Sequence, residues 1–104
     1  MKLPQTDRAE EMITESCVVQ AETSLVSSEL TDETVILNLA NGTYYSLDRL
    51  GTVIWELVQY PTTVADVYAE LMARFDVEPE RCRAELMDFL WNLEQNGLIH
   101  VTHG

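Results

Sequence analysis

Apolar residues follow two different periods along this chain, and the change falls near Asp48. Before that residue, two short runs rich in β-branched, aromatic and leucine side chains flank the dipeptide Asn41-Gly42. This dipeptide favours a β-hairpin because Asn and Gly both tolerate a positive φ. After Asp48, apolar residues recur every three or four positions, which is typical of amphipathic helices. The pattern therefore predicts strands in the first half of the chain and helices in the second.

The hairpin is expected over residues 33–47, and its sequence leaves two registers open. A two-residue turn pairs Leu39 with Tyr44, whereas a three-residue loop with Gly42 in the left-handed region pairs Leu39 with Thr43. The longer loop is favoured because it leaves one face apolar and the other mixed, as a half-buried antiparallel sheet requires. In that register the apolar face comprises Val35, Leu37, Leu39, Tyr45 and Leu47, and the opposite face comprises Ile36, Asn38, Tyr44 and Ser46.

Three helices are expected after the hairpin. Asp48 is suited to cap the first helix, and Pro61 ends it. The threonines at 62–63 are candidate caps for the second helix. Pro79 suits the first position of a third helix, where its missing N–H is harmless, and Gly97 ends that helix in a left-handed conformation. Each of these boundaries is predicted from the chemistry of one or two residues.

The N-terminal third of the chain is less regular. Residues 1–15 are polar and predict a flexible arm, and residues 102–104 a short tail. Residues 17–21 form a candidate strand that pairs with the strand at 35–39, and the stretch between these strands is expected to be a loop. The resulting fold class is α+β, with a three-stranded antiparallel sheet followed by three helices in one domain at 16–101.

Charge and composition exclude several classes of protein. The 104 residues include 18 acidic and 6 basic side chains, for a formal net charge of −12. Such a charge disfavours nucleic acid as a partner. No apolar run approaches a membrane span, and residues 1–7 lack the apolar segment of a secretory signal, so a cytoplasmic protein is expected. Cys17 and Cys82 lack paired spacing and are expected to be reduced.

The residue types also disfavour catalysis. The four glycines are far apart, so there is no glycine-rich phosphate loop. His100 and His103 lie close to the end of the sequence, and no cluster of His and Cys has the spacing of a metal site. The sequence therefore predicts no catalytic residue, no cofactor and no metal.

Two segments resemble a known family. They are YYSLDRLGTVIWEL at 44–57 and FLWNLEQNGLI at 89–99. Together with the hairpin before them, they resemble the PqqD-like family of peptide-recognition domains, and most of all its small stand-alone members in lasso-peptide pathways. The resemblance covers residues 16–101 and implies a winged helix-turn-helix-like fold. It also implies that the protein binds the leader segment of a ribosomally made precursor peptide and presents it to a leader peptidase.

Two alternatives accompany this hypothesis. A PqqD-type peptide chaperone of another modified-peptide pathway has the same sequence features. A winged-helix DNA-binding regulator shares the fold, but the third helix places Glu80, Glu85, Asp88 and Glu94 against Arg81 and Arg83. A helix that reads a DNA groove should instead present cations to the phosphates. DNA binding is therefore disfavoured.

The site residues follow from the resemblance together with the physics of strand addition. An exposed edge strand can pair with an extended peptide through its free backbone groups. The resemblance implies that the leader lies between the third strand and the third helix. Carried over to this sequence, the floor is Thr43, Tyr44, Tyr45, Ser46 and Leu47, and the wall is Arg83, Leu86, Met87 and Leu90. Leu47, Leu86 and Leu90 are also ordinary candidates for the core, and Gly51 is expected to let the neighbouring strand approach the first helix closely.

Overall fold

A computed structural model of the protein describes residues 13–23, 25–31 and 33–103. The strands are β1 (Val18–Ala21), β2 (Leu25–Glu29), β3 (Thr34–Asn38), β4 (Thr43–Leu47), β5 (Thr62–Thr63) and β6 (Ile99–Thr102), and the helices are α1 (Arg49–Leu57), α2 (Val64–Arg74) and α3 (Pro79–Gln95). The predicted fold class is confirmed, because a three-stranded antiparallel sheet, β2-β3-β4, precedes three helices.

The partner of the N-terminal strand was predicted wrongly. β1 lies in a second small sheet, of order β5-β1-β6, where Val19 pairs with Val101 and with Thr62. The strand that pairs with β3 is β2, in the segment expected to be a loop. Four of the five residues of β2 are exposed, so its side chains carry no alternation that sequence could reveal. Backbone pairing with β3, together with the packing of Leu25 against the core, therefore places β2 in the sheet.

Neither predicted register of the hairpin is present. The structure pairs Asn38 with Thr43 around a four-residue loop. The side chain of Asn38 accepts a hydrogen bond from the backbone N–H of Ala40 at 2.9 Å, and its carbonyl accepts one from Gly42 at 2.8 Å. The Asn41 side chain accepts a bond from the N–H of Thr43 at 2.9 Å, and Gly42 has a φ of +72°. Two asparagine side chains thus stabilise a longer turn than either register assumed.

The different register inverts the faces predicted for β3. Ile36 and Asn38 are buried, whereas Leu39, which was expected in the core, lies in the turn and is 61% exposed. A shift of one residue exchanges the two faces of a strand, because side chains alternate. The faces of β4 are as predicted, with Tyr45 and Leu47 directed inward and Tyr44 outward.

The predicted helix boundaries are confirmed except at the end of α1, which stops at Leu57, four residues before Pro61. Asp48 accepts a hydrogen bond from the N–H of Gly51 at 2.9 Å, and Thr63 is the threonine that caps α2. Pro79 is the first residue of α3. Beyond the end of α3, Gly97 has a φ of +74°, and the N–H of Leu98 reaches back to the Leu93 carbonyl at 2.9 Å. This pair of features is a Schellman motif.

One core joins the two sheets and the helices. Its fully buried side chains include Val19, Ile36, Ile54, Val58, Val64, Val67, Leu71, Leu86, Leu90 and Leu98. Of the predicted arm, residues 1–12 lie outside the described residues, but Ile13 is buried and Glu15 forms an ion pair with Arg83. The packed chain therefore begins by Ile13 rather than at residue 16, and β6 continues into the predicted tail to Thr102. Among the described helices, none is long and apolar enough to span a bilayer.

Candidate peptide-binding site

Strand β4 forms an open edge of its sheet. It pairs with β3 on one side, and no other described strand pairs with it. The prediction that this strand lies at an edge is confirmed, although β2 rather than β1 occupies the far side of the sheet. Alternate residues of an edge strand direct their N–H and C=O groups outward, where an extended chain can pair with them. β4 therefore offers backbone hydrogen bonds to a peptide.

The side chains of β4 divide between the two faces of the sheet. Thr43, Tyr44 and Ser46 are exposed, Tyr45 is half-buried and Leu47 is buried. Tyr44 is 71% exposed and pairs across the sheet with Leu37. The five residues of β4 that the sequence predicted as the floor of the peptide site are therefore accessible at their backbone and outer face, except that Leu47 mainly packs in the core.

A cavity of about 390 Å³ lies beside the end of β4. We call it the edge groove, and its lining residues are Ser46, Leu47, Asp48, Leu50, Gly51, Ile54, Glu85, Asp88, Phe89 and Asn92. The four residues from α3 are spaced at i, i+3, i+4 and i+7, so they share one face of that helix. The edge groove thus combines an apolar floor with a polar and acidic rim.

Gly51 allows the three elements around the edge groove to meet. A Cβ atom at this position would lie 3.1 Å from Cζ of Phe89 and 3.2 Å from Cβ of Leu47. Both distances are shorter than ordinary contacts between carbon atoms. The absence of a side chain therefore lets α1 approach β4, as the sequence led us to expect, and also α3, which the sequence did not indicate.

A second cavity, of about 350 Å³, adjoins the edge groove. We call it the adjoining pocket, and it is lined by Leu50, Asp76, Val77, Glu78, Arg81, Cys82 and Glu85. It shares Leu50 and Glu85 with the edge groove, so the two cavities follow one side of α3 towards its N-terminus. Together the two cavities form a surface longer than the space that one side chain of a bound peptide would fill.

The residues that the sequence predicted as the wall lie on a different side of α3 from the residues that line the edge groove. Leu86 and Leu90 are 1% and 0% exposed and belong to the core. The guanidinium of Arg83 lies 5.0 Å from the ring centre of Tyr68 in α2 and forms an ion pair with Glu15 at 3.0 Å. Met87 is half-buried, and none of these four residues lines the edge groove.

Each α3 residue that lines the edge groove lies two positions further along the sequence than a residue of the predicted wall. Two residues correspond to about 200° around a helix, which is close to its opposite side. The residues of α3 that line the edge groove, and that the sequence prediction did not include, are Glu85, Asp88, Phe89 and Asn92. The spacing of these four residues on one face of a helix was visible in the sequence. Phe89, however, also fits the pattern of a core residue, and only the structure shows that it packs against Gly51 beside Leu47 of β4.

Both cysteines are buried and neither forms a disulfide. Burial raises the pKa of the Cys82 thiol, and the neighbouring Glu85 raises it further, so this thiol is protonated at neutral pH. Sγ of Cys17 lies 3.4 Å from Nδ1 of His103, but Cys17 is 1% exposed and out of reach of a substrate. Within the described part of the chain, no group of three acidic, His or Cys residues is placed to hold a metal ion.

Comparison with known proteins decides the family. The sequence model of the family described as coenzyme PQQ synthesis protein D (PqqD) matches residues 33–99, more than half of the chain. The chain belongs to the PqqD family. The matched segment includes β4 and all three helices, so the edge groove lies entirely within the PqqD domain. The resemblance inferred from the sequence is therefore confirmed.

Two solved structures share the PqqD fold of this chain. One is described as TbiB1 in complex with the TbiA(beta) leader peptide, with a TM-score of 0.75, 28% identity, and coverage of 82% of this chain and 99% of that one. The other is described as lasso peptide synthetase B1 complexed with the leader peptide, with a TM-score of 0.70, 18% identity, and coverage of 79% and 96%. A search of curated proteins gave no match.

Proposed function

We propose that this protein binds the leader segment of a ribosomally made precursor peptide as an added strand on β4, in a lasso-peptide pathway. The observation that carries the proposal is the open edge of β4 beside the edge groove. The similarity to a protein solved with its leader peptide supports it, because the similarity extends over 99% of that protein. Thr43, Tyr44, Tyr45, Ser46 and Leu47 then provide the strand that pairs with the leader.

The energetics of this arrangement suit a reversible interaction. Backbone pairing gives affinity with little dependence on sequence, and side chains at alternate positions of the guest give specificity. Those on the inner side meet the apolar floor formed by Leu50, Ile54 and Phe89. Burial of one leucine or aromatic side chain contributes about 1.5–3 kcal/mol. Two such anchors with the strand bonds support a Kd between micromolar and nanomolar after the costs of association.

The wall of the site, in this proposal, is the face of α3 that carries Glu85, Asp88, Phe89 and Asn92. This face lines the edge groove, whereas the face with Arg83 and Met87 does not. Leu86 and Leu90 support the site from the core, where their burial fixes the position of α3. The proposal therefore keeps the strand and helix expected from the resemblance but exchanges the residues of the helix.

The proposed role is recognition without catalysis. The protein holds the leader in an extended form and presents it to a leader peptidase, which cleaves the precursor. An extended chain is the form in which a peptide exposes its backbone along its whole length. We propose the cytoplasm as the location of this step, because ribosomes release precursor peptides there.

A scan of the guest backbone tests strand addition directly. Synthetic peptides covering the leaders of precursors encoded beside the gene are labelled with fluorescein and titrated by fluorescence polarisation. The best binder is then N-methylated at one amide at a time. Each methyl group removes one backbone donor, so we expect at least a tenfold loss at alternate positions and little change between them. Losses without a period of two, or no binding by any leader, would reject strand addition.

A matched pair of truncations in α3 tests the wall. Phe89→Ala removes a side chain that lines the edge groove, and Met87→Ala removes one of similar size that does not. We expect Phe89→Ala to weaken leader binding by about tenfold and Met87→Ala by less than twofold. Circular dichroism is measured on both variants as the control for folding. The reverse order of affinities would restore the wall that the sequence indicated.

A further inference from the structure

The edge groove and the adjoining pocket share a strongly negative rim. The described residues that line them include five carboxylates, Asp48, Asp76, Glu78, Glu85 and Asp88. The only cation among those lining residues is Arg81, which is already paired with Glu85 at 2.9 Å. This excess of negative charge surrounds the place where the proposed guest peptide lies, so it bears on which peptides bind.

The other arginines near this region have partners elsewhere. Arg49 lies over the ring of Phe75, with 5.6 Å between its guanidinium carbon and the ring centre. Arg83 lies against Tyr68 and Glu15. Oδ2 of Asp88 lies 3.5 Å from Nδ2 of Asn92, which is a weak hydrogen bond, and Asp48 accepts the capping hydrogen bond from the N–H of Gly51. Neither contact with a neutral donor removes the negative charge of the carboxylate.

The shape of the edge groove limits which cation fits. Its floor is apolar and formed by Leu47, Leu50, Ile54 and Phe89, whereas its carboxylates lie at the rim. A lysine or arginine side chain has the matching distribution, with an aliphatic stem and a charged end. A purely apolar side chain would fill the floor but leave the charged rim without a counter-ion.

We propose that the edge groove selects leader peptides that carry a lysine or arginine on the same face as their apolar anchor. The inference rests on the proposed strand addition at β4. Side chains of an added strand that point to one face are two residues apart. The cation is therefore expected two or four positions from the anchor, attracted first by Asp88, which has no cationic partner among the described residues, and then by Glu85, which it would share with Arg81. These two carboxylates determine specificity, whereas the backbone of β4 supplies sequence-independent affinity.

Selection from a random library tests the proposal without knowledge of the natural precursor. A display library of random 12-residue peptides is selected against the full chain and against the double variant Glu85→Gln, Asp88→Asn. The matched control is the double variant Asp66→Asn, Glu70→Gln, which removes two exposed charges from α2, outside both cavities. Circular dichroism checks the folding of all three proteins.

The outcomes separate the inference from the proposed function. We expect the wild type and the control to enrich Lys or Arg at even spacing from an apolar residue, and the groove variant to lose this enrichment. Extended binders without that enrichment, or the same enrichment with the groove variant, would overturn the charge selectivity and leave strand addition intact. If no selected peptide shows alternating sensitivity to N-methylation, both strand addition and the selectivity are wrong.

A double-mutant cycle measures the contact itself. In one selected peptide the arginine is replaced by citrulline, which has nearly the same shape but no charge. We expect this replacement to weaken binding to the wild type by about fivefold, the upper range for exposed ion pairs, and to the groove variant by less than twofold. Equal losses with both proteins would show that the carboxylates do not contact the cation.

Discussion

Gly51 shows how a single residue determines the geometry of the candidate site. In most helix positions alanine is more favourable than glycine, by about 1 kcal/mol, because glycine loses more backbone entropy on folding. Here the side chain would meet Phe89 on one side and Leu47 on the other. The close approach of α1, α3 and β4 thus depends on the residue that would otherwise be the worse choice for a helix.

The variant Gly51→Ala tests this reasoning. The gain in helix propensity opposes the overlap with Cζ of Phe89 and Cβ of Leu47, and overpacking of this kind costs about 1–3 kcal/mol. We expect a net loss of about 1 kcal/mol in the free energy of unfolding, measured in urea, and weaker leader binding because Phe89 must move. An equal or higher stability with unchanged binding would contradict a role for Gly51 in positioning the edge groove.

Local chemistry explains which residues were predictable from the sequence. Asp48, Thr63, Pro79 and Gly97 each act through their own backbone or that of residues a few positions away, so the helix boundaries follow from the sequence alone. Asn38 acts locally too, but its side chain bonds to the turn only in one of several possible registers. The hairpin itself was predictable, whereas its register depended on a competition between turns that differ little in energy.

Among the elements, strands were harder to predict than helices. β2 has no apolar alternation, and its pairing with β3 is a backbone interaction that leaves no pattern in the side chains. The helices were correct in number and in all boundaries but the end of α1, whereas the side of α3 that lines the edge groove differs from the wall that the sequence predicted. The sequence already made Leu86 and Leu90 candidates for the core. The side of α3 that faces Gly51, in contrast, is known only once the elements are packed together.

The junction of β2 and α1 carries a testable repulsion. The charge of Glu56 in α1 raises the pKa of Glu29 in β2 above its usual value. A carboxyl group whose pKa is raised in the folded state favours folding at low pH, and this contribution is lost as the pH rises through the raised pKa. The two ionised glutamates therefore destabilise the contact between these elements at neutral pH.

The variant Glu29→Gln should relieve this repulsion. We expect a higher melting temperature than that of the wild type at pH 7, and a difference that shrinks towards zero as the pH falls below the usual pKa of a glutamate, where Glu29 is protonated in both the folded and the unfolded states. Glu33→Gln, which removes an exposed charge just before β3, is the control. A gain in stability that persisted at low pH, or one shared equally by the control, would assign the effect to something other than the Glu29–Glu56 pair.

Over the whole molecule, a net charge of −12 creates a field that extends beyond any single contact. Such a field attracts a cationic peptide from a distance and speeds its association, whereas contacts within the edge groove slow its dissociation. These two effects differ in their dependence on salt, since the field is screened over a Debye length of about 10 Å at 0.1 M ionic strength. Rates measured by stopped flow therefore separate the charge of the molecule from the charge of the site.

The two double variants turn this separation into a prediction. Each removes two negative charges, so the distant field falls equally, and we expect similar decreases in the association rate of an arginine-containing peptide at low salt. The dissociation rate should rise by about fivefold only for Glu85→Gln, Asp88→Asn, because only that variant removes carboxylates from the rim of the edge groove. For the wild type, the association rate should fall as salt rises, and the citrulline peptide should show a shallower dependence. An association rate that is independent of salt would mean that the acidic surface does not guide the peptide, and equal dissociation rates for both variants would mean that the rim does not hold it.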